Sequence, residues 1–145
     1  MTQPEKMNFE YRRVNHSQLT HLTELIDKCF GIRVSDGYYD WKYVRNPVGK
    51  LVAFEALHEK NVAGFYGLIP EIYNVGGKKI KIYQSMDTMT HPNYQRRGLF
   101  VQLANQTFSA VLAEEQRLDM IGIPGGNSYH GFVHRLGWKC IQQFR

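Results

Sequence analysis

The sequence predicts an α/β (α+β) domain, and three stretches carry that expectation. Residues 51–57 and 62–73 are rich in Val, Phe, Tyr and Ile and flank the polar turn His58-Glu59-Lys60-Asn61, the pattern of an antiparallel hairpin. Residues 78–90 read as a further long strand, ending at His91-Pro92, where the missing proline amide stops a ladder. A short basic turn, Gln95-Arg96-Arg97-Gly98, then leads into a helical stretch. Leu99, Val101, Leu103 and Phe108 give it a partly periodic apolar face among good helix formers such as Gln102, Ala104 and Gln106.

The other elements follow in order. Residues 8–14 alternate as a first strand, and Asn15-His16-Ser17 supply caps for a helix through Cys29. On it Leu19, Leu22, Leu25, Ile26 and Cys29 recur at three- and four-residue steps, and Gly31 is its stop. Residues 36–47 are dense in aromatics, with Tyr38, Tyr39, Trp41 and Tyr43 on a short helix broken before Pro47. Two readings stay open there: core packing over the sheet, or a substrate wall formed by Tyr39, Trp41 and Arg45 beside Asn46. Gly64 and Gly67 mark a bulge or a close approach within their strand, and residues 74–77 turn the chain. Beyond the long helix, residues 119–123 form a short apolar strand that Pro124-Gly125-Gly126 breaks. Asn127 or Ser128 caps a last helix to Leu136, with Phe132, Val133 and Leu136 buried. Gly137 ends it, and residues 138–144 begin another strand.

A chain of 145 residues is most simply one domain, here 1–145, with enough length for a real core. The net charge of +5 favours anionic ligands. Its basic pairs, Arg12-Arg13, Lys78-Lys79 and Arg96-Arg97, are dispersed, and no stacking motif of the RNA-recognition type appears, which argues against nucleic acid. Two distant cysteines, Cys29 and Cys140, make neither a disulfide framework nor a metal cluster, so a reduced, cytoplasmic setting is expected. No stretch approaches the apolar length of a membrane span. His16 and His21 read as surface or capping residues. Neither they nor His91 and His130 stand at metal-ligand spacing, so no metal is expected.

The chemistry concentrates in residues 91–108. Strand, glycine-containing turn and helix N-terminus together make an anion site, because the first helical amides lack intrahelical partners and the helix dipole points its positive end there. Gly98 removes a Cβ where backbone and phosphate must approach, and Arg96 and Arg97 add positive field. The run Gln95-Arg96-Arg97-Gly98-Leu99-Phe100 resembles the Gln/Arg-x-x-Gly-x-Gly/Ala motif of the GNAT superfamily of acyl-CoA-dependent N-acyltransferases, with Phe100 at the position of the second small residue. Leu136-Gly137-Trp138 resembles the Leu-Gly-Phe that often closes the family's last helix.

The resemblance implies a mixed, mostly antiparallel central sheet flanked by helices, with the C-terminal strand pair incomplete. Such a sheet would be completed by a second copy in a homodimer, or by the rest of a longer protein. It implies acetyl-CoA or another acyl-CoA as cofactor and a small-molecule or peptide amine as acceptor, joined in a ternary complex. By position, the backbone groups that hold the pantetheine arm fall on Thr88, Met89 and Thr90, the pyrophosphate donors on Gln95, Arg96, Arg97, Gly98, Leu99 and Phe100, and a further pantetheine contact on Asn127. The family's strand base is replaced by Gln84, which leaves Asp87, then Glu71, as carboxylates; its tyrosine acid is replaced by Val133, which leaves Tyr129 ahead of His130 and His134. Asp87 and Tyr129 are therefore the expected catalytic pair. With those replacements, a non-catalytic CoA-binding module is the competing expectation.

Overall fold

The computed structural model describes residues 7–142 apart from Gln18. Five strands, β1 (Glu10–Arg13), β2 (Val52–His58), β3 (Asn61–Val75), β4 (Lys78–Thr90) and β5 (Met120–Gly122), form one sheet in that order. The first four pair antiparallel, and β5 joins β4 in parallel. A parallel neighbour needs a crossover, which helix α2 (Leu99–Glu115) supplies. The sheet is therefore mixed and mostly antiparallel, as expected.

Its two faces carry two cores, and β3 explains why. Residues Ala63 to Pro70 are all buried, so the strand reads as a continuous apolar run. Phe65 and Tyr66 are neighbours in sequence and point to opposite faces. Phe65 joins Leu22, Leu25 and Ile26 of helix α1 (His21–Phe30), together with Tyr39, Tyr43 and Met89. Tyr66 joins Leu99, Leu103, Ala104 and Val111 of α2, together with Phe132. Glu55 is buried at 1% exposure; it accepts from Arg12 Nε at 2.7 Å and pairs with His21 on its other oxygen, which ties β1 and α1 to β2. Gly67 is a forced glycine: a Cβ there would lie 2.8 Å from Leu51 Cδ1.

Several boundaries differ from the sequence expectation. Strand β1 is shorter than residues 8–14, and α1 begins at His21 rather than just after Ser17. Asn15 instead folds its side chain over a turn, with Oδ1 accepting from the Ser17 amide at 3.0 Å and hydroxyl at 2.8 Å. Gly31 does stop α1, left-handed at φ +66°, its amide donating to the Asp27 carbonyl at 2.8 Å. His16 and His21, expected at the surface or as caps, instead tie elements together by hydrogen bonds, His16 to the Leu51 carbonyl and His21 to Glu55. Helix α3 (Gly126–His130) starts with Gly125 at its cap, so Asn127 and Ser128 lie inside its first turn. It continues as a wider π-turn, Gly131–Arg135, closed by the Leu136 amide on the Gly131 carbonyl at 3.1 Å.

The expected strand over 138–144 does not form among the described residues; 143 and 144 lie outside them. The Trp138 amide donates back to the Phe132 carbonyl at 3.0 Å, and its ring packs edge-on to Phe132. The same ring fills the space beside Gly122, where a Cβ would lie 2.8 Å from it. The chain is thus drawn onto the helix end and β5 instead of entering a ladder. Among the described residues no helix is long and apolar enough to cross a membrane, and no group of three or more His, Cys, Asp or Glu could hold a metal.

Candidate active site

Strands β4 and β5 stay together for only three residue pairs, from Tyr83–Met120 to Ser85–Gly122. Beyond them β4 runs on to Thr90, while Pro124 and Gly125 carry the other chain away. The divergence opens a cleft of about 1010 Å³. Gln84, Ser85, Met86, Asp87, Thr88 and Thr90 all line it. Adjacent residues can do so because the cleft runs along the freed edge of the strand, not over one face. The Ser85 hydroxyl is hydrogen-bonded to the Tyr66 hydroxyl at 2.9 Å, at the point of divergence.

At one end of the cleft stands the basic loop, all six of whose residues, Gln95 through Phe100, line it. Its backbone alternates: Gln95 is extended at ψ 159°, Arg96 is left-handed at φ +61°, and Gly98 is left-handed again at φ +77°. Two left-handed residues within three positions curl the loop sharply into the start of α2, the kind of turn whose amides can face an anion. The first α2 bond is Gln102 amide to Gly98 carbonyl, at 3.1 Å, so the amides of Leu99, Phe100 and Val101 have no partner within the helix. A Cβ on Gly98 would meet nothing within 4 Å. The positive φ favours glycine there, and the space in front of it is open to a ligand.

Toward α1, the cleft meets a carboxylate with a built environment. Phe65 pairs with Met89 and Gly67 with Met86, so Tyr66 faces two residues, Asp87 and Thr88. This bulge turns Asp87 left-handed, at φ +49°, and re-aims its side chain. Asp87 Oδ2 accepts from Lys42 Nζ at 2.7 Å and from the Tyr43 hydroxyl. Both donors come from the π-turn Asp40–Val44, closed by the Arg45 amide on the Asp40 carbonyl at 3.1 Å. Burial, reinforced by the charge of Asp87, pushes the Tyr43 phenol well above its ordinary value, so it remains a donor. Tyr39 is raised for the same two reasons, and its buried hydroxyl has no partner among the described residues. Cys29 also lines the cleft; burial pushes its thiol up to about 11, against a hydrogen bond with the Thr90 backbone.

A family model described as an acetyltransferase (GNAT) domain matches residues 10–141. The chain belongs to the GNAT family. Membership makes acetyl transfer its reaction class. Among solved structures, an acetyltransferase of Trypanosoma brucei is similar at 18% identity, over 95% of this chain and 97% of that one, with a TM-score of 0.72. The aminoglycoside acetyltransferase AAC(6')-Iy, in complex with the bisubstrate analogue CoA-S-monomethyl-acetylneamine, is similar at 15% identity over 95% of each chain, with a TM-score of 0.72. A protein of Clostridium acetobutylicum described as a predicted acetyltransferase, solved with acetyl-CoA, is similar at 12% identity over 95% and 94%, with a TM-score of 0.69. At these identities the likeness shows the fold. No curated protein matches the sequence at a significant level.

Within this GNAT cleft the residues expected from sequence divide. Thr88, Thr90, Gln95 through Phe100, Asn127 and Asp87 line it. Met89 is not among the lining residues and its side chain is in the core at 1% exposure, which does not bear on the backbone role expected of it. Tyr129 sits on α3, half-buried, and is not among the lining residues. Glu71 accepts from the Tyr73 hydroxyl at 2.8 Å and is also off the cleft. Of the proposed substrate wall, Tyr39 is core, stacked on Tyr43 at 5.3 Å, Trp41 is largely exposed, and Arg45 pairs with Asp40 at 2.7 Å; none lines the cleft. The core reading of that aromatic segment therefore holds for Tyr39 and Tyr43. Lys42 and Tyr43, the partners of Asp87, both lie in the aromatic segment; the sequence reading placed Tyr43 there as an aromatic and gave Lys42 no role. Phe100 fits because the last helix yields to it: a Cβ on Gly131 would lie 2.8 Å from Phe100 Cε1.

Proposed function

We propose that the chain transfers an acetyl group from acetyl-CoA to the primary amine of a small molecule, by direct attack within a ternary complex. The observation that carries this reading is the left-handed Gly98 at the head of α2, with unpartnered amides and two arginines facing a cleft that the β4–β5 divergence opens. The cofactor's pyrophosphate occupies the amide cradle of Gln95 through Phe100, where fixed dipoles and Arg96 and Arg97 offset its charge. Its pantetheine arm runs along the freed edge of β4, against the backbone of Thr88 and Thr90, with Asn127 opposite. The thioester carbonyl then meets backbone groups that are already oriented, as in an oxyanion hole.

In the transfer itself, the amine nitrogen forms a bond to the acyl carbon and the thioester C–S bond breaks, releasing the CoA thiolate. Asp87 anchors the acceptor's ammonium and accepts the proton that nitrogen gives up, with Lys42 and Tyr43 as positioning residues. Cys29 is the thiol that lines the cleft, and its raised value keeps it protonated near neutral pH. It is therefore poorly suited to carry the acyl group, which favours direct attack. Following thiol release from acetyl-CoA with and without a primary amine tests the reading. Amine-dependent release is expected. Acetyl-CoA binding without any amine-dependent release would support the non-catalytic CoA-binding module instead.

A further inference from the structure

The cleft's lining also constrains the acceptor. Three exposed apolar side chains stand on it: Phe30 at 56% exposure, Ile32 at 49% and Ile123 at 71%. Phe30 and Ile32 follow one another closely at the end of α1, beside Ile26 and Cys29, while Ile123 leaves β5 where the strands part. Large apolar groups held in water beside a ligand cleft mark surface that a ligand covers. Of the charged residues on the same lining, Arg96 and Arg97 belong to the pyrophosphate cradle, which leaves Arg135 and a single carboxylate, Asp87, among the described residues. That carboxylate already has a cationic partner in Lys42 at 2.7 Å.

An acceptor with several ammonium groups would find one anionic partner among the described residues lining the cleft, and would have to share it with Lys42. Its other charges would be desolvated against isoleucine and phenylalanine, which is unfavourable. An acceptor with one ammonium and an apolar body meets the reverse: its charge falls to Asp87 and its body covers Phe30 and Ile32. Resting on the acetyl-transfer reading above, we propose that the acceptor is a primary monoamine with an apolar body, not a polycation such as a polyamine or an aminoglycoside.

The test compares phenethylamine with spermidine and neamine as acceptors, by acetyl-CoA-dependent thiol release, with acetyl-CoA binding measured separately by calorimetry. Phenethylamine should be preferred in kcat/KM by at least about tenfold, the scale of one or two well-buried apolar groups. Phe30→Asp and Ile32→Asp should raise the KM for phenethylamine with the acetyl-CoA Kd unchanged. Val75→Asp, the same change at an exposed apolar residue in the β3–β4 turn, should alter neither. If acetyl-CoA binds and a polycation is preferred, or neither class is acetylated, the acceptor assignment is overturned while the cofactor reading stands. Failure to bind acetyl-CoA overturns both.

Discussion

Replacing Gly131 with alanine reads out the packing that lets a phenylalanine occupy the small-residue position of the cofactor loop. Gly131 has helical backbone angles, φ −63° and ψ −45°, so alanine there brings about 1 kcal/mol of better helix propensity. The new Cβ would lie 2.8 Å from Phe100 Cε1 and 3.3 Å from its Cδ1. The ring cannot simply swing aside. Phe132 holds it edge-on at 5.2 Å, and Tyr66 stands at 6.0 Å. Overpacking of this kind costs about 1–3 kcal/mol, so Gly131→Ala should be destabilising by about 1 kcal/mol net. In a Phe100→Ala background the obstruction is gone, and the same substitution should be stabilising by about 1 kcal/mol. Urea unfolding of the four proteins of this cycle gives a coupling of about 2 kcal/mol if the reasoning holds. An equal stabilisation by Gly131→Ala in both backgrounds would refute it.

Two further outcomes follow from the charged groups. Glu55→Gln should cost about 2 kcal/mol at pH 7, because it leaves Arg12 and His21 without their buried anion. Burial alone would raise the Glu55 carboxyl, but the hydrogen bonds from His21 and Arg12 bring it below its ordinary 4.5. Its contribution is therefore complete above that value and lost as the pH falls through the lower, folded one, so unfolding curves of parent and variant should converge in acid. Asp87→Asn should lower kcat/KM for amine acetylation by about a hundredfold or more while the acetyl-CoA Kd holds; an equal loss of acetyl-CoA affinity would move Asp87 into the cofactor site.

Much of the fold was legible because its signals are local. The β2–β3 hairpin follows from two apolar runs around His58 to Asn61, and the stop of α1 follows from Gly31. The anion cradle was legible for the same reason, since Gly98 and its neighbours carry their own backbone instruction. The acceptor side was less so. A bulge depends on how β4 registers against β3, and nothing in the sequence near Asp87 states that Tyr66 will face two residues. Regular alternation would set Asp87 opposite in sense to Gln84, three residues earlier; the bulge and the strand-edge opening let both line the cleft. Tyr129 was legible as a hydroxyl near the start of a helix, but which way a five-residue helix turns its side chains is decided by tertiary packing. The absent strand over the described part of 138–144 has a similar cause: Trp138 packs on Gly122 and Phe132, a tertiary contact that nothing local in the sequence specifies.

Calorimetric titration of acetyl-CoA into the purified chain and its Gly98→Glu variant tests the cofactor cleft most directly. A glutamate at φ +77° is strained, and its carboxylate would stand at the amides meant for the pyrophosphate. Binding by the parent, weakened at least about tenfold in a variant of unchanged helix content, is the expected result. No binding by the parent, or equal binding by both, would contradict the account.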